Sequence, residues 1–410
     1  MVTQPRRGAV VRLVGSLAAV FILSQFYRTA VAVIAPDLVR DPGLTAQELG
    51  ALTGAFFFAM AVMQLPVGAL LDRFGPRRTV PSQLVLAVAG ALVISVADSA
   101  TTLIVGQTLI GLGCAGVFMG GLVAISRWFP PARFATVAAL MTGISGLGNL
   151  LSATPFAALS EEIGWRATYA GLAGLTAFLA LILYAFLRDA PPGHPYHSRT
   201  PERLADTVAG LRQVLRHPEM PGILTIAFVS FSTIFAIRAL WAGPYLADVH
   251  GLGAVERGNV LLVMGLAMIV GVAVYGPLDR IFKRRHIIFM GAGTSTVILS
   301  VLALAPTLAL WQVTALFAGL SLFSAYYIHV LSHTRSLFED RLIGRAITAT
   351  NFAAFTGVGV MQVVPGFIVG GFANGADGAD AAVPYRWVFA LLAAAVVIAL
   401  AIYMRARKAS

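Results

Sequence analysis

The sequence predicts an all-α membrane protein with twelve transmembrane helices in two pseudo-symmetric six-helix bundles. Three observations carry that expectation: recurrent apolar stretches, a repeat of the first half in the second, and a one-sided distribution of basic residues. Of 410 residues, 58% are hydrophobic and 11% are charged, with a mean hydropathy of +0.83. A water-soluble domain carries roughly a quarter charged residues, so lipid is the solvent for most of this chain.

A helix that crosses a bilayer needs about 20 mainly apolar residues. Such stretches fall at approximately 10-36, 48-71, 79-97, 101-126, 134-160 and 167-187, then 219-247, 255-278, 286-305, 308-333, 344-371 and 386-405. An even number of crossings puts both termini on one side. The longest polar stretch begins at Asp189, runs through Ala190-Pro191-Pro192-Gly193, and continues as a charged, helix-forming piece around Arg203 to Arg216. The expected organisation is therefore a bundle over 1-188, a cytoplasmic linker with an amphipathic helix over 189-218, and a second bundle over 219-410.

The halves repeat at an offset of about 207 to 208 residues. Asp72-Arg73 and Arg77-Arg78 recur as Asp279-Arg280 and Arg284-Arg285, and Gly111, Arg127 and Arg133 recur as Gly319, Arg335 and Arg341. Parallel repeats of this kind place a binding site at their interface, near the middle of the membrane.

Net charge is +11 and the isoelectric point is near 10.4, values that nucleic-acid binding could also explain. The placement of the basic residues argues against it. Of the 29, 23 lie in the tails and alternate loops on one side, and only Arg40, Arg166, Arg257 and Arg386 lie on the other. That asymmetry marks the cytoplasmic face, so the expected location is the inner (plasma) membrane, multi-pass, with both termini cytoplasmic. The lipid bilayer is the expected environment, with no nucleic-acid partner and a monomeric state.

Cys114 is the single cysteine, which excludes an intrachain disulfide and a cysteine metal cluster. The start of the chain imitates a signal peptide, with Arg6 and Arg7 before an apolar run, but that run is too long and Arg28 interrupts it. No cofactor is expected. The sequence holds no HExxH, no Cys-x-x-Cys, no phosphate loop ending in Lys-Ser/Thr and no G-x-S-x-G. An enzyme is therefore not expected, and an ATP-driven pump is excluded.

Charges inside the spans mark function, because a charge in hydrocarbon is costly without water or a partner. Two qualify. Arg28 lies eight residues before Pro36 in the first span, about 12 Å along a helix, and Arg238 lies six residues before Pro244 in the seventh, about 9 Å. All 18 acidic residues sit in loops or at span ends, so neither arginine has an evident internal counter-ion. A guanidinium fork suits a phosphate or carboxylate. The competing reading is that both side chains snorkel to the outer interface or bond to backbone carbonyls. Further candidates for the cleft are Tyr27, Asn149, Trp241, Tyr245, Tyr326, Tyr327, His329, Asn351 and Gln362, His329 also as a protonatable group. Each has packing or helix-to-helix bonding as its alternative.

Gly68-Ala69-Leu70-Leu71-Asp72-Arg73-Phe74-Gly75-Pro76-Arg77-Arg78 resembles the signature loop of the major facilitator superfamily, in the position where that superfamily carries it. The resemblance covers the whole chain and implies the twelve-helix fold. It also implies a conformational latch formed by Gly68, Asp72, Arg73, Gly75, Arg77 and Arg78, with Asp279 and Arg280 in the second half. Physically, a carboxylate beside arginines and glycines at a helix end can make charge-assisted bonds to a neighbouring helix end and release them. Tyr27-Arg28 through Pro36-Asp37-Leu38 further resembles the first helix of the organophosphate and organic-anion branch, in which paired arginines on helices 1 and 7 hold the substrate. One departure stands out: where relatives carry an arginine before a Gly-x-Gly in the fourth helix, this chain has Gln107 before Gly111-Leu112-Gly113.

The functional expectation is a secondary active transporter for a small organic anion, either carboxylate or organophosphate. It would work by alternating access as an exchanger, uniporter or proton symporter. The rival readings are a multidrug or lipophilic-solute exporter of the same fold and a non-transporting membrane sensor.

Overall fold

The computed structural model describes residues 7–191, 204–278, 281–305, 308–373 and 381–406. Twelve helices among them are long and apolar enough to cross a membrane. Helices 1 to 6 are Val10–Arg40, Ala46–Phe74, Pro76–Ser95, Ala100–Trp128, Thr136–Ile163 and Trp165–Phe186. Helices 7 to 12 are Met220–His250, Ala254–Tyr275, Arg284–Leu304, Leu310–Ser336, Leu342–Phe372 and Val383–Arg405. A further helix, Leu204–Leu215, lies between the two sets. We call the end where helix 1 begins and helix 12 finishes the basic end, and the opposite one the far end.

Local chemistry explains the boundaries. Helix 2 starts in a capping box, with Thr45 Oγ1 accepting from the Glu48 amide at 3.3 Å and the Thr45 amide donating to Glu48 Oε2 at 2.9 Å. It ends at Gly75, whose φ of 75° disfavours any residue with a Cβ; Pro76 then opens helix 3. Signature-loop Gly75 is thus required by the backbone itself.

Five of the long helices are interrupted, and the interruptions follow the repeat. Helix 1 breaks at Arg28–Thr29, between Arg7–Tyr27 and Ala30–Arg40, while helix 7 widens into a π-turn over Ile237–Trp241. Helix 4 breaks between Cys114 and Val117, and helix 10 tightens into a 3₁₀ turn at Ser324–Tyr326. Helix 5 breaks after Leu151, because Pro155 has no N–H to offer the Leu151 carbonyl. Interrupted membrane helices leave backbone and side-chain polar groups available where they line an interior, and π-turns concentrate at functional sites.

Each bundle is knit by the same pairing. Helix 5 meets helix 1 where a Cβ on Gly148 would overlap the Ile22 carbonyl, and helix 11 meets helix 7 where a Cβ on Gly357 would overlap the Phe228 carbonyl.

The two bundles meet along a seam that is tight toward the far end. A Cβ on Gly243 of helix 7 would overlap the Ala32 carbonyl of helix 1, and one on Gly50 of helix 2 would lie 2.6 Å from the Gln362 carbonyl of helix 11. Thr154 of helix 5 donates to Asn259 Oδ1 of helix 8 at 2.8 Å. Arg257, placed by sequence on the far side at the start of the eighth span, is 3% exposed in the first turns of helix 8. Its guanidinium donates to the Leu252 carbonyl at 2.9 Å and, across the seam, to the Val33 carbonyl at 3.3 Å. The closing groups are thus small residues and one buried cation, which allow backbones to touch. Toward the basic end the seam parts. A cavity of about 520 Å³ opens there between Leu65 of helix 2, Phe228 of helix 7, Phe352 of helix 11 and Leu215 of the intervening helix.

At the far end of the first bundle, Arg166 donates to Asp41 Oδ2 at 2.6 Å and to the Ala97 carbonyl at 3.0 Å. That hydrogen bond holds the Asp41 carboxyl below its ordinary value of 3.8. A depressed carboxylate contributes stability that is fully present above its unfolded pKa and lost as pH falls through the folded one. Thermal melts are therefore expected to lose this contribution only below about pH 4. Asp41→Asn should remove that part of the acid sensitivity, read as a smaller drop in melting temperature between pH 6 and pH 3; an identical drop would contradict the pairing.

Candidate functional site

The helix 1 break sets Arg28 between the bundles. Its guanidinium lies over the Phe355 ring of helix 11, 5.4 Å from the centroid, beside Tyr327 of helix 10. Arg28 belongs to the first bundle and both neighbours to the second. Its Nε is buried and makes no hydrogen bond. Phe355 also packs edge-on against Phe231 at 5.6 Å, and Phe231 stacks on Phe235 and Tyr327 at 4.4 and 4.9 Å. A guanidinium beside aromatic faces gains cation–π attraction while its fork remains directed by the break.

Arg238 crosses the seam in the opposite sense. Placed by the π-turn of helix 7 and only 2% exposed, it points its Nη2 at the Asn149 carbonyl of helix 5, 3.5 Å away. Nε and Nη1 are buried without partners. Three hydrogen-bond donors on two cations thus lie unpaired at the interface. Leaving buried polar groups unpaired is costly, and unpaired buried cations more so; an anion seated here would satisfy them. No ion pair to Arg28 or Arg238 is formed among the described residues.

A hydrogen-bonded chain joins the two arginine segments. Thr29, next to Arg28, bonds Ser152 at 2.6 Å, and Ser152 donates to the Asn149 carbonyl at 3.2 Å, the same oxygen that Arg238 approaches. Asn149 Oδ1 itself is buried and unbonded. Helix 8 contributes Gly265, where a Cβ would sit 3.0 Å from Arg238 Nη2. Gly265→Val is therefore expected to displace the guanidinium and weaken anion binding by about tenfold, the ordinary scale of overpacking. Titration calorimetry on the purified variant checks this, and unchanged affinity would mean that the position of Arg238 is immaterial.

The other sequence candidates divide cleanly. Tyr327 donates to Asn351 Oδ1 at 2.8 Å, so these two sit together beside Arg28. Gln362 is fully buried and donates to the Phe235 carbonyl at 2.9 Å, just before the π-turn, where it braces the segment carrying Arg238. Trp241 closes that π-turn, 2% exposed, with its Nε1 buried and unbonded. Four others turn into their own bundle. Tyr27 bonds Thr176 at 2.8 Å. Tyr245 sits in a ring of aromatics with Phe317, Tyr385 and Phe389. Tyr326 packs where helix 9 crosses at Gly291, and His329 Nε2 bonds the Tyr275 carbonyl at 2.9 Å. A tyrosine hydroxyl or an imidazole in an apolar bundle needs a hydrogen-bond partner, and the neighbouring helices supply one to Tyr27 and His329.

In the signature loop, Gly75 holds its turn, and Arg73, Arg77 and Arg78 line a small basic pocket with Asp189. The Arg77 amide donates to Asp189 Oδ1 at 2.8 Å. A Cβ on Gly68 would meet nothing within 4 Å, so no neighbouring helix presses on that face of the loop here. Asp279 and Arg280 lie outside the described residues.

Thr29, Ser152, Gly265 and Phe355 were not singled out from sequence. The Thr29–Ser152 pair had a faint signal in Pro155, which breaks helix 5 beside it. Phe355 had none.

The family model described as Major Facilitator Superfamily matches residues 17–362. The chain belongs to this superfamily. Among its relatives, the probable sulfoacetate transporter SauU of Cupriavidus necator is 24% identical over 66% of this chain and 65% of its own length. The uncharacterized transporter YybO of Bacillus subtilis is 25% identical, also over 66% of this chain and 65% of its own length. The probable L-galactonate transporter of Escherichia coli is 23% identical over 85% of this chain and 80% of its own. The matched region therefore spans just under two thirds of the first two relatives. A bacterial homologue of the human lysosomal transporter Spinster, solved in an inward-facing, unoccupied conformation, superposes with a TM-score of 0.78 at 16% identity, covering 98% of both chains. That likeness extends to the fold of this superfamily member.

Proposed function

We propose that this protein is a secondary active transporter that carries a small organic anion across the inner membrane by alternating access. The observation that carries the reading is the pair of guanidinium groups on helices 1 and 7, each reaching across the seam, with buried N–H groups that nothing among the described residues satisfies. An anion held between them would draw the bundles together, and its release would free them, which is how one binding event biases a two-state equilibrium. Relatives named for sulfoacetate, tartrate and L-galactonate transport support an acidic substrate. The one-sided basic residues support a cytoplasmic basic end, with substrate reaching the site from that side when the far end is shut.

A thermal-shift screen of the purified protein tests the reading with sulfonates, mono- and dicarboxylates, sugar acids, organophosphates and lipophilic cations. Stabilisation by one or more anions is expected, since a ligand bound only by the folded state raises the melting temperature. Stabilisation by lipophilic cations alone would replace the anion carrier with an exporter of the same fold.

A further inference from the structure

The two bundles carry matching basic pockets at the basic end, but they differ in where the carboxylate sits. In the first, Arg77 lies 5.3 Å over the ring of Tyr184, near the end of helix 6, and donates to the Tyr184 carbonyl at 3.2 Å. Asp189, five residues on from Tyr184, enters that pocket and accepts from the Arg77 amide. In the second, Arg285 lies 5.3 Å over the ring of Tyr403, near the end of helix 12, and donates to the Tyr403 carbonyl at 3.4 Å. Five residues on from Tyr403 the sequence has a lysine, Lys408, where the first half has an acid.

The second pocket is also the larger, about 770 Å³ against about 310 Å³. Lys283, Arg284 and Arg285 line it, and the one lining carboxylate among the described residues, Glu219, faces His333 at 3.4 Å. Beside His286 and Tyr403, its remaining walls are the apolar Phe282, Phe289, Leu400 and Met404. Phe282, Phe289 and Met404 are 48%, 49% and 46% exposed on the outer surface of the bundle, so the pocket opens where hydrocarbon meets the headgroup layer. A free anion has no use for such walls, whereas a lipid has.

We propose that this pocket binds the phosphate headgroup of an anionic phospholipid, with an acyl chain along Phe289 and Met404. Basic recesses between membrane helices on the cytoplasmic side suit this ligand. The external phosphate brings to the second bundle the negative charge that Asp189 brings to the first, beside the arginine that sits on the terminal tyrosine, and so ties helix 9 to helix 12. The site is separate from the seam and does not depend on which solute is carried.

Native mass spectrometry of the detergent-purified full chain tests the proposal with phosphatidylglycerol and phosphatidylcholine. Wild-type protein is expected to retain phosphatidylglycerol at least about tenfold better than phosphatidylcholine. Lys283→Gln with Arg284→Gln should lose that preference. Arg212→Gln with Arg216→Gln, which removes equal charge from exposed positions in the last turn of the intervening helix and just after it, should keep it. Equal retention of the two lipids by wild type would overturn the proposal, as would equal losses in the two double variants. Displacement of phosphatidylglycerol by millimolar inorganic phosphate would also overturn it, since it would mark a soluble-anion site. Because Lys283 is exposed and Arg284 half-exposed, the first double variant is expected to melt with wild type in phosphatidylcholine; should it not, the wild-type comparison and the phosphate competition decide alone.

Discussion

Arg238→Lys is expected to weaken anion binding by about 30-fold or more, close to 2 kcal/mol, although the charge is kept. Nε and Nη1 of Arg238 are buried with nothing to bond, and Nη2 is only loosely engaged by the Asn149 carbonyl. Their geometry is a planar fork fixed by the π-turn, with Gly265 on one side and Gln362 bracing the turn. An ammonium on a shorter, flexible stem offers a point charge and cannot reproduce two parallel hydrogen bonds. Arg28→Lys should behave alike, losing in addition its stacking over Phe355. Calorimetry with whichever anion stabilises the wild type gives the affinity. Wild-type affinity in both lysine variants would mean that charge alone matters and that the fork is not the recognition element.

Gly243→Val carries the second large effect, on the conformational equilibrium and not on the ligand. A Cβ at this position would overlap the Ala32 carbonyl across the seam, so the far end cannot close as it does here without the backbones moving apart. Overpacking costs on the order of 1–3 kcal/mol, enough to shift a two-state population by roughly five- to 150-fold. The site would open toward the far end, and transport would fall because one half of the cycle is disfavoured. Thiol labelling reads this directly. In a Cys114→Ala background, Ala35→Cys, fully buried here, is expected to react slowly with a membrane-impermeant reagent and at least about tenfold faster once Gly243→Val is added. No acceleration would show that the helix 1 to helix 7 contact does not govern closure. Gly143→Val serves as the control, since a Cβ there meets nothing within 4 Å.

The architecture was legible because lipid imposes it. Backbone hydrogen bonds must be satisfied within each span, so twelve apolar stretches had to be twelve helices, and the recurring Asp-Arg and Arg-Arg pairs betrayed the duplication. Arg28 and Arg238 stood out for the same reason, as charges in hydrocarbon without an acid. What the sequence did not reveal is direction. Tyr27 and Tyr327 look alike as tyrosines in apolar runs, yet one bonds Thr176 inside its own bundle and the other turns with Asn351 toward Arg28. Helix rotation is set by packing against neighbours, which no local pattern encodes. The breaks at Arg28–Thr29 and Ile237–Trp241 were equally silent. Neither contains a proline or a glycine, and both are held by side chains from other helices, Ser152 in one case and Gln362 in the other. Arg257, counted from sequence only as a far-side charge at a span end, is made part of the far-end seam by its burial and the Val33 carbonyl.

A double-mutant cycle on the two arginines tests the account most directly. Anion affinity is measured by calorimetry for wild type, Arg28→Gln, Arg238→Gln and the double variant. If one anion bridges both guanidinium groups, each single change removes most of the binding and the double adds little, giving a coupling of about 1 kcal/mol or more. Additive losses, or a wild-type affinity in either single variant, would mean that the two cations do not share a ligand, and the bridging site across the seam would be wrong.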